Sequence, residues 1–156
     1  MQGRGRAALI SDPQGAELAL LHAADGDPED RQPRIGDWIW NEIWTNVPQQ
    51  TAAFYTSLGS YSSIKVGDAY EILTTENRWR AGIRAIFKDP YKVRWVLAVR
   101  VNDPVRILDK VEKLGGRVLL RPDAPPSRGD TALIVDPDGA LLMLQRWSFD
   151  DTEEAQ

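Results

Sequence analysis

The chain has 156 residues, enough for one domain with a core of its own, and 42% hydrophobic against 27% charged residues sets a soluble globular protein as the expected class. It contains no cysteine, which excludes disulfides, thiolate nucleophiles and zinc–thiolate sites. A net charge of −4 and a pI near 5.0, with Lys and Arg scattered among acids, argue against a nucleic-acid surface. No apolar run reaches the ~20 residues of a membrane helix, and the basic start Met1-Gln2-Gly3-Arg4-Gly5-Arg6 leads into a poor secretory signal. A cytoplasmic protein is expected.

In chain order, the first recognisable feature is a repeat. Ala8 to Leu21 matches Ala132 to Gln145, with identity at Ala8/Ala132, Leu9/Leu133, Ile10/Ile134, Asp12/Asp136, Pro13/Pro137, Gly15/Gly139, Ala16/Ala140, Leu18/Leu142 and Leu20/Leu144, at a constant offset of 124 (136 − 12). Self-similarity along a turn and both its flanks signals repeated architecture. Residues 1–24 therefore read as a β-hairpin resembling the end of a preceding module, expected to cover Leu9, Leu18 and Leu20 at a sheet edge of its own module or of a partner chain. Residues 25–36, rich in Asp, Pro, Gly and Arg, form the linker.

Residues 37–148 then read as βαβββ twice over. A strand over Trp38–Thr45 precedes a helix over Pro48–Leu58, which Pro48 opens and Gly59 closes in a left-handed stop. Strands follow at Ser62–Val66, Tyr70–Thr74 and Ala81–Phe87, separated by Gly67-Asp68 and Glu76-Asn77. The second half begins with a strand at Trp95–Val101. Asp103 caps the next helix, Pro104 to Leu114, whose Val105, Leu108, Val111 and Leu114 recur as one apolar stripe, and Gly115-Gly116 ends it. Strands at Arg117–Arg121, Thr131–Val135 and Ala140–Gln145 complete the unit, the last two joined by the Asp136-Pro137-Asp138-Gly139 turn. Neither half buries its sheet face alone, so two packed halves are expected. Residues 149–156 read as a disordered acidic tail.

Trp40-Asn41-Glu42-Ile43-Trp44-Thr45 with Ala53-Phe54-Tyr55, Lys113-Leu114-Gly115-Gly116-Arg117-Val118 and Asp136-Pro137-Asp138-Gly139-Ala140 together resemble the vicinal oxygen chelate superfamily, which includes glyoxalase I, extradiol dioxygenases and bleomycin-binding proteins. Within it, the sequence is most similar to two-module glyoxalase-like proteins. The resemblance implies an α+β fold in which paired βαβββ units form an eight-stranded cup, with a divalent ion inside it in catalytic members. The positions that would carry the ligands hold Trp40, Val96, Met143 and, to within a residue, Gly82 or Ile83. None offers an imidazole or carboxylate, so the resemblance implies a metal-free member without a cofactor. His22 lies outside the module.

Strand alternation puts Trp40, Glu42 and Trp44 on one face and Ile39, Ile43 and Thr45 on the other, and the ligand position that the resemblance implies at Trp40 makes the tryptophan face the cup-lining one. The same phase directs Val96, Ala98, Arg100, Leu141, Met143 and Gln145 inward. The candidate ligand-binding residues are thus Trp40, Glu42, Trp44, Val96, Arg100, Met143 and Gln145; Tyr55, Tyr70 and Trp79 are candidates for the mouth whose direction the sequence does not fix. A carboxylate between indoles suits a cationic or aromatic ligand. Glu42 could instead pair with Arg84 or Arg100. Three functions stay open: a homodimeric protein sequestering a small molecule, a metal-independent enzyme with Glu42 as general base, and an assembly module without a ligand. One histidine and no cysteine exclude Ser-His-Asp and Cys-His machinery.

Overall fold

A computed structural model describes residues 4–26, 29–86, 93–124 and 129–149. The fold is α+β: the described residues form two helices, an eight-stranded sheet and a separate two-stranded sheet. Chain contacts divide it into two compact units, one formed by residues 1–32 and 40–96, the other by 33–39 and 97–156.

The first unit opens with the hairpin β1 (Gly5–Ser11) and β2 (Glu17–Ala23), antiparallel from Gly5↔Ala23 to Ser11↔Glu17. Its βαβββ body comprises β3 (Trp38–Thr45), α1 (Pro48–Leu58), β4 (Ser62–Lys65), β5 (Tyr70–Thr75) and β6 (Arg78–Ala85). β4, β5 and β6 form a meander, and β6 returns parallel to β3, with Glu42 opposite Gly82 and Trp44 opposite Arg84. Ile43, Leu73, Ala81 and Ile83 face α1 and pack with Ala52 and Tyr55. Thr45 substitutes for a helix cap: its hydroxyl accepts from the Val47 N–H at 3.2 Å and from the Thr51 hydroxyl at 3.0 Å.

The second unit repeats this order with β7 (Arg94–Arg100, shared with the end of the first unit), α2 (Val105–Lys113), β8 (Arg117–Leu120), β9 (Thr131–Val135) and β10 (Leu141–Gln145). β10 runs parallel to β7 and antiparallel to β9, which pairs with β8. Leu108, Val101, Ala132, Ile134 and Leu144 form its core.

Several sequence expectations need correction. Of the two edges considered for the hairpin, the one on its own module is not used: among the described residues the hairpin makes its own sheet and attaches through its turn to α1, where the Tyr55 hydroxyl donates to Asp12 Oδ2 at 3.3 Å and the Thr51 hydroxyl reaches Gln14 Oε1 at 3.4 Å. Asp12 Oδ1 also holds the turn, accepting from the Gln14 and Ala16 N–H groups, and Ala16 enters the α1 core. In α2, Leu108 is fully buried but Val105 and Leu114 are 49% and 67% exposed. Steps of three residues fall about 60° short of a full turn, so residues nine apart lie on opposite sides of a helix. The packed face is Ile107, Leu108 and Val111.

Asp103 does accept from the Val105 N–H at 2.9 Å, and Gly115 takes the left-handed stop at φ +86°. Gly59 does not: it is extended at φ −140°, while the Thr56 and Ser57 hydroxyls donate back to the Ala52 and Ala53 carbonyls one turn earlier. The strand read as Ala81–Phe87 begins earlier, at Arg78, because Glu76 and Asn77 (φ 50° and 60°) close a two-residue hairpin. Phe87 and the acidic tail from 150 onward lie outside the described residues. The linker is fastened where Arg78 and Arg80 both donate to Asp30, and hydrogen bonding from Arg78, then Arg80, holds that carboxyl below its usual range.

Candidate functional site

On the sheet face opposite α1, the first unit gathers one polar cluster. β3 presents Trp40, Glu42 and Trp44, the alternation read from the sequence. β6 contributes Gly82 and Arg84 through the parallel register, and β5 places Tyr70 opposite Arg84. The centre is Glu42, 4% exposed. Its Oε2 accepts from Arg84 Nε at 2.6 Å and Trp44 Nε1 at 3.0 Å; its Oε1 accepts from Arg84 Nη2 at 2.8 Å and the Tyr70 hydroxyl at 2.8 Å. A carboxylate has about four acceptor sites, and all are filled. Of the two arginines considered as its partner, it is Arg84 that pairs.

The fork geometry makes this a charge-assisted pair, the strong kind. Trp40 Nε1 donates to the Tyr70 oxygen at 2.8 Å, so that hydroxyl accepts from one side and donates to the other. The Arg84 guanidinium carbon sits 4.7 Å from the Tyr70 ring centre. Burial, with the Glu42 charge and hydrogen bond added, pushes the Tyr70 hydroxyl well above its ordinary range and keeps it protonated. Burial opposes the Arg84 cation, but its bond to Glu42 and the Glu42 charge prevail and raise its pKa.

Gly82 makes the cluster possible. A Cβ there would collide with the Tyr70 hydroxyl and come within 3.1 Å of Glu42 Cγ. Of the two residues that could correspond to the family's ligand position on this strand, Gly82 faces the cluster while Ile83 is fully buried against α1.

The cluster's outer side is accessible. The Arg84 side chain is 44% exposed, and Trp79, 62% exposed, meets Trp40 edge-on with ring centres 6.4 Å apart. Tyr55 belongs elsewhere: it bonds Asp12 and meets Trp95 edge-on at 5.5 Å on the α1 side. Its hydroxyl is also raised, by burial first and by the Asp12 charge second.

The other predicted residues are distributed differently. Val96 is fully buried and Met143 nearly so. Gln145 is half-buried opposite Arg100, and its carbonyl accepts from the Val101 N–H. Arg100 donates to the Pro33 and Trp147 carbonyls and lies over the Phe149 ring at 4.7 Å. It is spent within the second unit. The residues do not fit a divalent ion: Trp40, Gly82, Val96 and Met143 bring no hard donor, and Glu42 has no lone pair to give. Among the described residues, no three His, Cys, Asp or Glu gather as a ligand set.

No family model matches the chain. It is 29% identical over 142 residues to the "Putative glyoxylase CFP32" of Mycobacterium bovis and, equally, of Mycobacterium tuberculosis, covering 88% of this chain. The chain spans about half (54%) of the length of these relatives. Among solved structures, a catechol 2,3-dioxygenase superposes with a TM-score of 0.54 at 14% identity, over 96% of this chain and 56% of that one. A glyoxalase/bleomycin resistance protein/dioxygenase superfamily member from Vibrio splendidus gives 0.51 at 13% identity, over 71% and 100%. The Mn(II)-bound glyoxalase of Novosphingobium aromaticivorans gives 0.50 at 15%, over 77% and 44%. The fold is thus that of the glyoxalase/bleomycin resistance/dioxygenase proteins. The relatives in sequence are consistent with the vicinal oxygen chelate superfamily, the one the motifs resemble.

Proposed function

We propose that the protein binds a small aromatic molecule without a metal ion, on the surface formed by Trp40, Tyr70, Trp79 and Arg84. The observation that carries this reading is the closed coordination of Glu42. A carboxylate whose acceptor sites are taken by Arg84, Tyr70 and Trp44, and whose charge Arg84 offsets, has none left for a ligand cation or a substrate proton. That weighs against the general-base reading and moves the ligand's chemistry away from a cation. What the cluster offers instead is an exposed indole, a second indole edge-on to it, and a guanidinium whose Nη1 lies outside the Glu42 pair. A flat ring carrying a carboxylate or other acceptor complements all three.

The fold is compatible with this role, since it is shared by proteins named for quite different chemistries. Titration of the tryptophan emission with aromatic carboxylates tests it. Saturable quenching is expected for the parent. Trp79→Ala should weaken it about tenfold, the size of one aromatic contact, with thermal stability unchanged because Trp79 is 62% exposed. Equal affinity in the variant, or no saturable response in the parent, would overturn the proposal.

A further inference from the structure

The hairpin β1–β2 repeats β9–β10 in structure as well as in sequence. Asp12 Oδ1 accepts from Gln14 and Ala16 at 2.9 and 2.8 Å, and Asp136 Oδ1 accepts from Asp138 and Ala140 at 3.0 and 2.8 Å. The backbone bonds agree too: Asp12 to Ala16 and Gly15 to Asp12 in one turn, Asp136 to Ala140 and Gly139 to Asp136 in the other. Cross-strand partners share a face. One face of β1–β2 therefore carries Ala8, Ile10, Leu18 and Leu20, paired as Ala8↔Leu20 and Ile10↔Leu18. These four are identical to Ala132, Ile134, Leu142 and Leu144, paired as Ala132↔Leu144 and Ile134↔Leu142.

The surroundings of the two hairpins differ. In β9–β10 that face is covered by α2: Ala132, Ile134 and Leu144 are 0%, 7% and 5% exposed and pack with Leu108 and Val111. Its outer edges are paired as well, β10 in parallel with β7 and β9 antiparallel with β8. In β1–β2 only the turn end is engaged, where Leu18 packs on the α1 core. Ile10 is half-buried, Ala8 is exposed, and Leu20 is 41% exposed. Among the described residues, neither outer edge has a strand beside it. An apolar face with two open edges is a template for pairing.

We infer that β1–β2 is the docking surface for a strand–helix–strand segment of a partner polypeptide. The partner's amphipathic helix covers Ala8, Ile10 and Leu20 as α2 covers their counterparts. One partner strand runs parallel to β2 and the other antiparallel to β1. The chemistry required is that of β7–α2–β8: an apolar helix face at i, i+1 and i+4 spacing between two strands rich in Val and Leu.

The test adds a fluorescently labelled peptide with the sequence of residues 94–120 to the full chain and follows its anisotropy, with a scrambled peptide alongside. Saturable binding is expected for the parent. Leu20→Asp should weaken it at least about tenfold, a change that circular dichroism and an unaltered melting temperature would show to be local. No binding beyond the scrambled peptide, or equal binding by Leu20→Asp, would overturn the inference. So would a parent dimer in sedimentation that Leu20→Asp dissolves while the peptide stays unbound, since that outcome gives the face to a second copy.

Discussion

Arg84→Met is expected to destabilise the protein by about 3–5 kcal/mol, more than Glu42→Gln does. The asymmetry follows from where each charge sits. Glu42 is 5% exposed at its side chain and Arg84 is 44% exposed. Without Arg84, the carboxylate stays buried with only Tyr70 and Trp44 to bond it, and an uncompensated buried charge is the costly outcome. Without the Glu42 charge, Arg84 can turn to water, so Glu42→Gln should cost only about 1–3 kcal/mol. The double variant Glu42→Leu with Arg84→Met should recover part of the loss, because replacing both members of a buried pair by apolar groups is often nearly neutral. Urea unfolding of the four proteins checks this. A larger loss for Glu42→Gln than for Arg84→Met would contradict the geometry.

Gly82→Ala should be comparably damaging, at about 2.5–6 kcal/mol. The new methyl group occupies the space of the Tyr70 hydroxyl, so either the sheet shifts or Tyr70 leaves Glu42. Overpacking costs about 1–3 kcal/mol, and losing a hydrogen bond to a charged group adds about 1.5–3 kcal/mol. The combination Gly82→Ala with Tyr70→Phe, which removes the oxygen at the closest approach and leaves only the ring carbon, 2.7 Å away, to shift, should be less impaired than Gly82→Ala alone. If the double variant unfolds at lower denaturant than the single, Tyr70 is not the group that Gly82 accommodates.

These two expectations also show how far the sequence could be read. The two faces of β3 are legible from its alternation, but which of them meets α1 follows only from the ligand position the resemblance implies at Trp40; the structure packs Ile43 on α1 and sets Glu42 on the opposite face. Arg84 could be named only as one of two possible partners for Glu42, because choosing between Arg84 and Arg100 needs the parallel register of β3 with β6. Tyr70 could not be given a direction at all. A two-residue turn at Glu76-Asn77 pairs Thr75 with Arg78 and Thr74 with Trp79, and continued strictly it would set Tyr70 opposite Ile83. A bulge after Leu73 inserts one residue, so Tyr70 lands opposite Arg84. Bulges re-aim side chains without leaving a clear composition signal.

The same limit applies to the helices and the hairpin. Pro48 and Asp103 marked where α1 and α2 begin, as local chemistry does. The packed face of α2 was misjudged because a three-residue recurrence looks like a stripe but turns around the helix. The Asp12 turn was recognisable from its likeness to the Asp136 turn, yet its docking on Tyr55 joins residues 43 apart and nothing local announces it. Long-range polar contacts of this kind depend on the fold as a whole.

In the function proposed above, the Glu42–Arg84 cluster replaces metal chemistry with aromatic recognition. A thermal-shift comparison tests it most directly, with the purified full chain against manganese, nickel, zinc and magnesium salts in one arm and aromatic carboxylates and aromatic amines in the other. Ligand at 100 times its dissociation constant stabilises the folded state by about 2.7 kcal/mol, which is readily seen. A rise in melting temperature is expected with aromatic carboxylates, a smaller one with the amines, and none with the metals. A rise with a divalent metal that a chelator reverses, or no response to any aromatic compound, would contradict it.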